Sequence, residues 1–480
     1  MEIETKEENA ERKREGESTS MSQKTQEILQ EVPLFSKRDI KKLILPLIAE
    51  QFLAVLVGMA DTVMVARVGE NAVSGISVVD SINVLIINIL AALATGGAVA
   101  ASQYMGRKEE KLACRAADQL MLVVGSLSVL VSACCLIWNA PLLRGIYGTL
   151  DEEVMTNARI YFYLTACSFP FLAIYNGAAA ICRSMGNSKI SMKVSFVMNG
   201  INIVGNAILI YGFHMGVAGA GIATLMARCV ASIVMLSVVR NPKLPIHVHP
   251  RFHFGFHWDI ICRILRVGIP TGIENGVFQA GKLLVAGLVA SFGTVSIAAN
   301  AVTGTIASFQ VLPGQAMGLA LMTLVGQAIG AERYEEAKTY IIKIMKMLVV
   351  AHFFLNVPLL YFLPYIIKIY NLSPETAALT SKLAYIHGIN AILTWGFSFA
   401  LPNALRAADD AKFAMKITVF SLFACRILMS YVLGLYFHMG VIGVWIAMVI
   451  DWAFRAVAYV GRVVSGRWLR EHKNRVQNRI

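Results

Sequence analysis

Residues 46–69 read PLIAEQFLAVLVGMADTVMVARVG, and residues 270–293 read PTGIENGVFQAGKLLVAGLVASFG. Each stretch opens on a proline, carries a glutamate one turn later (Glu50, Glu274), and closes on a glycine (Gly69, Gly293). Between these marks lies an apolar run long enough to cross a bilayer core, which takes about 20 helical residues. The same shift of 224 positions carries Gln103 to Gln327 and Gly106 to Gly330. It also carries His214-Met215-Gly216-Val217 to His438-Met439-Gly440-Val441, while Arg183 and Lys193 find Arg406 and Lys416 at a shift of 223. One register held over so much of the chain marks an internal duplication.

Composition says what solvent the duplicated halves meet. Of 480 residues, 56% are hydrophobic and only 15% charged, with a mean hydropathy of +0.61. A soluble core needs far less apolar surface, so the solvent is lipid. Twelve apolar runs are predicted as transmembrane helices, near 42–66, 76–101, 116–138, 159–182, 192–213, 217–240, 263–290, 296–326, 339–363, 381–405, 414–437 and 441–464. The fold class is therefore all-α and integral to the membrane, with six helices in each half. An even number per half makes the halves parallel copies about an axis along the membrane normal. Two such lobes face each other across a central cleft, and rocking them about it is a physical route to alternating access.

The net charge of +13 does not point to nucleic acid, because the basic residues collect in alternate connections. Lys37, Arg38, Lys41 and Lys42 precede the first run, and Arg107, Lys108, Lys111 and Arg115 follow the second. Arg183, Lys189 and Lys193, then Arg333, Lys338 and Lys343, then Arg406, Lys412 and Lys416, and finally the tail from Arg462 repeat the pattern. By the positive-inside rule both termini are expected in the cytoplasm, with the protein in the inner (plasma) membrane. Residues 1–35 lack any apolar period and are expected to form a disordered cytoplasmic tail. The first lobe is placed at 36–240, a cytoplasmic linker rich in Pro and His at 241–260, the second lobe at 261–465, and a basic cytoplasmic tail at 466–480. The eight cysteines form no CxxC pair, so structural disulfides and a zinc site are not expected.

Further motifs point to a family. Met59-Ala60-Asp61-Thr62-Val63-Met64-Val65-Ala66-Arg67-Val68-Gly69 closes the first run, Ala101-Ser102-Gln103-Tyr104-Met105-Gly106-Arg107 follows the second, and Cys182-Arg183-Ser184-Met185-Gly186-Asn187 follows the fourth. In this order, on a twelve-span repeat, they resemble the multidrug and toxic compound extrusion (MATE) family over about residues 36–465. The resemblance implies a pair of six-helix lobes exporting organic cations, drugs or other amphipathic compounds in exchange for sodium ions or protons. An alternative of related architecture is a lipid-linked precursor flippase, which would want a cationic cleft for pyrophosphate, and Lys282 and Arg426 fit that. An enzyme is not expected, since no constellation such as HExxH appears. A channel would need a filter ring and oligomeric symmetry.

An ionisable group at the bilayer centre costs at least about 2.5 kcal/mol and so needs a partner, a watery cavity or a function. Asp61 lies about 22 Å along the helix axis from Pro46, in the outer half of the first span. It either snorkels to the interface or belongs to a site. Asn202 and Asn206 share one helix face at i and i+4, and Thr224 lies on the next span. With Asp61 these residues make an all-oxygen set suited to sodium, while the carboxylate alone suits a proton. In the family resemblance the four positions fall where the first lobe holds its coupling cation. Some members have an acid at Asn206, which leaves Asp61 as the sole titrating ligand here. Asn199 reads equally as interhelical hydrogen-bond glue.

The shift of 224 turns Asp61, Asn202, Asn206 and Thr224 into Val285, Arg426, Ser430 and Met448, so coupling is expected in the first lobe only. Arg426, Asp451 and Arg455 read as a structural ion pair with a competing arginine. Glu50 and Glu274, with Lys282 and Gln279, are candidates for substrate contact or gating. The alternative for the two acids is local hydrogen bonding, for instance from Gln51 or Asn275. Asp80 reads as a relay carboxylate or as a partner of Ser81, Asn83 or Arg228. Met59, Met198, Phe278 and Trp395 could supply a soft apolar wall, and the small residues Ala94 to Ala101 allow close helix approach. No cofactor is expected beyond a coupling Na+ or H+, and no metal beyond sodium at Asp61. The expected partners are membrane lipids and small amphipathic organic substrates, with no nucleic acid, and the chain is expected to act as a monomer.

Overall fold

A computed structural model describes residues 33–148, 151–249 and 255–477. The expected disorder of the first tail falls almost wholly outside these residues. The chain divides into a short unit ending at Lys41 and a second from Lys42 to Ile480. In the short unit a reciprocal cap starts a helix: Ser36 N donates to Asp39 Oδ2 at 3.2 Å while Asp39 N donates back to Ser36 Oγ at 3.2 Å. Two otherwise unpaired groups at the helix start are thereby satisfied.

Twelve spans follow in chain order. The first six are Lys37–Ala66, Glu70–Gly106, Glu110–Ile137, Glu152–Ser184, Ser188–Gly212 and Gly216–Val239. The second lobe has Trp258–Ala290, then Thr294–Gln310 with Leu312–Gly330, then Tyr334–Tyr361. Its tenth span runs from Pro374 through wide π-helical turns, Ala391–Ala400, to Ala407, and Ala411–Tyr436 and Gly440–Val464 complete it. Ten of the helices are long and apolar enough to cross a membrane on their own. The seventh carries Arg263, Glu274 and Lys282 along its length, and the tenth is interrupted. Both rely on the lobe around them to shield polar groups.

The eighth run, expected as one helix over 296–326, is two. Pro313 lies in the first turn of Leu312–Gly330 and the break falls at Val311, because proline has no N–H to give and its ring crowds the preceding turn. The basic tail carries a helix, Arg467–Gln477, with Trp468 wholly buried. The seventh span starts at Trp258, inside the stretch expected as linker.

The duplication is written into the backbone. Non-glycine residues with φ near +60° are strained for L side chains, yet they recur in register: Lys108 (59°) with Glu332 (60°), and His214 (52°) with His438 (53°). Gly69 and Gly293 share positive φ in the same way. Each lobe also carries a π-helical segment just before the His-Met-Gly-Val turn, Ala207–Gly212 and Val432–Tyr436.

The lobes touch where the second span crosses the seventh and eighth. A Cβ on Gly96 would stand 2.2 Å from Ile264 O, so the small residues predicted to permit close approach do so. A Cβ on Gly106 would stand 2.0 Å from Gln327 O, and one on Gly330 would stand 2.0 Å from Gln103 O. The repeat axis passes through this crossing, at the end of the bundle that bears the basic connections.

Candidate functional site

Spans five and six approach closely where Gly205 faces Ala223, a Cβ on the glycine lying 3.0 Å from the alanine Cβ. This contact brings Asn202, Asn206 and Thr224 to one wall of a first-lobe cavity of about 370 Å³, and Asp61 enters from the first span. Asn206 Nδ2 donates to Asp61 Oδ1 at 2.8 Å. Asn202 faces the same carboxylate with its amide nitrogen, donating to Oδ1 and Oδ2 at 2.8 and 3.0 Å, while its oxygen accepts from Thr224 Oγ1 at 3.2 Å. The opposite amide orientation would set oxygen against carboxylate. All four residues expected as a set therefore meet. Charge-assisted hydrogen bonds of this kind are worth about 1.5–3 kcal/mol.

Asn206 Oδ1 is buried and without a hydrogen-bond partner among the described residues, an oxygen left over beside a carboxylate. Asn199 donates to Ser195 Oγ at 3.3 Å and also lines the cavity. Asp80 and Arg228 share the same walls, so the cavity holds two carboxylates against one guanidinium. Asn83 reaches Asp80 at 3.4 Å, whereas Ser81 bonds the carbonyl of Ser77. Arg228 donates to Ser168 Oγ at 2.6 Å.

The second lobe has a cavity of about 480 Å³ in the matching place, since Val285, Arg426 and Met448 line it, the repeat counterparts of Asp61, Asn202 and Thr224. Ser430 turns instead to the carbonyl of Arg426 at 2.5 Å. Arg455 grips Asp451 with two bonds of 2.9 Å, and Arg426 stands 3.8 Å from the same carboxylate. The competition foreseen for Asp451 is thus won by Arg455, for which i,i+4 spacing on one helix gives the better reach.

The partners suggested for the two glutamates, Gln51 and Asn275, are not the ones found. Arg406 Nη2 donates to Glu274 Oε2 at 2.8 Å and Thr418 Oγ1 to Oε1 at 2.8 Å. Glu50 accepts from Ser191 Oγ at 2.9 Å and stands 3.9 Å from Arg183. Each acid thus faces the arginine in the last turn of its lobe's fourth span, and Asn275 donates instead to Asn88 O at 3.3 Å. Sequence reading missed these pairs, although both glutamates and both arginines had surfaced as repeat matches. Gln279 lines a smaller hollow of about 250 Å³ beside Glu274 and Phe278. Of the apolar candidates, Met198 lines the first-lobe cavity and Phe278 and Trp395 the second, whereas Met59 lines neither.

Two six-helix copies with a polar cavity inside each and a crossing at one end define the architecture of a secondary transporter. A family model described as MatE matches twice, over residues 46–208 and 270–432, the two matches standing in the same 224-residue register. The chain belongs to the MATE family of transporters. It is 27% identical over 432 residues, 89% of this chain and 94% of the relative, to an "Uncharacterized transporter YisQ" of Bacillus subtilis. It is 26% identical over 450 residues, 92% and 94% of the two chains, to a "Probable multidrug resistance protein NorM" of Thermotoga maritima. Among solved structures, an outward-facing MATE family transporter superposes with a TM-score of 0.83 at 20% identity, covering 91% of this chain and 96% of the other. A Vibrio cholerae MATE transporter superposes with a TM-score of 0.82 at 18% identity, covering 90% and 98%. At these identities the structural likeness speaks for the fold: twelve transmembrane helices in two lobes.

Proposed function

We propose that the protein is a cation-coupled antiporter, driven by sodium ions or protons, that exports amphipathic organic compounds by alternating access. The observation that carries this reading is Asp61, an intramembrane carboxylate held by two amides in a first-lobe cavity whose repeat counterpart has lost every one of these groups. A carboxylate in that setting is costly without a partner cation. In the present arrangement both amides donate N–H to it. Turning either amide offers an oxygen to a bound sodium, and a proton needs no rearrangement. Names of relatives such as the probable multidrug resistance protein of Thermotoga maritima support drug-like cargo. The excess of Lys and Arg at one end of the bundle supports a plasma-membrane protein with that end in the cytoplasm.

The test is efflux of a fluorescent amphipathic dye from proteoliposomes under an imposed sodium or proton gradient, for the protein and its Asp61→Asn variant. Dye movement under one gradient, lost in the variant, is the expected result. Normal coupled transport by Asp61→Asn would sink the coupling site. No dye movement under either gradient would favour the flippase reading, for which Lys282 and Arg426 supply the positive charge.

A further inference from the structure

We infer that the second-lobe cavity is a binding site for aromatic organic anions, a ring system bearing a carboxylate or an equivalent acidic group. The inference rests on the transporter reading and deepens it to the charge class of the cargo. The cavity is the repeat image of the first-lobe cavity with its polarity reversed. Where the first lobe's lining sets Asp61 and Asp80 against one arginine, the second's carries Lys282 and Arg426 and no carboxylate among the described residues, and the acid beside Arg426, Asp451, is shared with Arg455.

The positive charge is not cancelled from within. Arg455 occupies both oxygens of Asp451. Arg426 is left 3.8 Å away, with its Nε buried and without an acceptor among the described residues. Lys282 makes no ion pair or hydrogen bond among the described residues; its ammonium stands 5.5 Å from the Phe278 ring centre. Arg426 and Arg455 stand 5.5 and 5.3 Å from the same ring centre. Nearby, Glu274 is already taken by Arg406. Uncompensated cations inside a membrane protein are expensive, and an incoming anion relieves that cost. An organic cation would meet the repulsion of Lys282 and Arg426, and Phe278 already faces both of them.

The rest of the wall decides what carries the anion. Trp395 stacks on Phe399 at 5.1 Å and 24°, and Trp445 and Trp452 complete the lining. Trp452 Nε1 is a second buried donor without an acceptor among the described residues. Flat aromatic walls favour a ring by offset stacking, and unmatched donors favour acceptor oxygens. A volume of about 480 Å³ suits a small fused-ring ligand.

The test is calorimetric titration of the full-length protein in nanodiscs of neutral lipid, using 1-naphthoate and 1-naphthylmethylammonium, which share a ring and differ in charge. The expected result is saturable naphthoate binding, with the ammonium probe weaker by on the order of tenfold or more. Lys282→Glu should reverse that preference, Lys282→Gln should weaken naphthoate, and Lys282→Arg should restore it, which guards against a variant that simply fails to fold. Equal binding of the two probes, or naphthoate affinity indifferent to Lys282→Glu, would overturn the proposal. Inorganic pyrophosphate binding more tightly than naphthoate would overturn its aromatic half. Binding is read at equilibrium without a gradient, so its failure is distinguishable from failure of coupled efflux.

Discussion

Gln103 and Gln327, repeat counterparts, donate across the two lobes in mirror fashion. Gln103 Nε2 reaches Ala407 O at 2.7 Å and Gln327 Nε2 reaches Ser184 O at 2.6 Å, and each acceptor follows its own lobe's Arg406 or Arg183. Together with the glycine crossing they form a two-fold latch at the basic end of the bundle. In the alternating-access cycle proposed above, that latch opens. Gln327→Leu should cost about 0.5–1.5 kcal/mol of closed-state stability, seen as a lowered Tm in detergent, and Gln103→Leu more, because Gln103 also accepts from the buried Arg263. If each bond helps hold the other, the double variant should cost less than the sum of the two single losses, whereas independent bonds should add, which a double-mutant cycle reads directly.

Gly330→Ala should be worse than Gln327→Leu. Its Cβ would fall 2.0 Å from the Gln103 carbonyl oxygen, and backbone cannot step aside as a side chain can. Overpacking of this kind costs about 1–3 kcal/mol. Gly287, inside the seventh span with open space around it, is the control: Gly287→Ala should leave Tm unchanged or raise it slightly, since alanine favours helix over glycine.

The two glutamate–arginine pairs should differ in weight. Glu274 is bonded to Arg406 and Thr418 at 2.8 Å, whereas Glu50 stands 3.9 Å from Arg183. Removing one partner of a well-made buried pair costs about 3–5 kcal/mol because the other charge is stranded. Glu274→Gln should therefore lower thermal stability more than Glu50→Gln, and the double change Glu274→Gln with Arg406→Met should recover much of the loss. Equal losses for the two single variants would contradict the ranking.

The amides around Asp61 should tune the coupling ion without abolishing transport. Asn206→Ala removes one charge-assisted bond, worth about 1.5–3 kcal/mol. The half-saturating concentration of the coupling cation in dye efflux should shift by on the order of tenfold or more. Asn199→Ala, whose amide bonds Ser195, should shift it little.

Beyond the spans, Asp409 ties the terminal helix to the bundle. Burial alone would raise its carboxyl, but the neighbouring His472, Arg263 and Gln103 outweigh burial and hold it below the ordinary value. A depressed acid stabilises the fold above its unfolded pKa of about 3.9 and loses that contribution as pH falls through the lower folded value. Helix Arg467–Gln477 should therefore stay docked at neutral pH and loosen only in strong acid. The check is acrylamide quenching of buried Trp468 against pH, taken as the difference from Trp468→Phe. Asp409→Asn should expose Trp468 already at neutral pH.

Local and periodic signals made much of this protein legible in sequence. Apolar runs of membrane length fix where helices must form, since lipid offers the backbone no hydrogen bonds. The Pro46/Pro270 register fixes that there are two copies. The grouping of Asp61, Asn202, Asn206 and Thr224 was visible because the two asparagines share a face and an acid in lipid needs company. Pairings between distant spans were not visible. Arg406 lies 132 positions from Glu274, and the choice of Arg406 over Asn275 depends on how spans seven and ten pack. The same holds for Arg455 taking Asp451 from Arg426, and for the cavity that gathers Lys282 with Trp395 and Trp452. Sequence alone thus determined the solvent, the spans and the duplication, because these follow from hydropathy along one dimension. Tertiary structure decided which charges neutralise each other and which are left facing a cavity, because that depends on distances of a few ångströms between helices far apart in the chain.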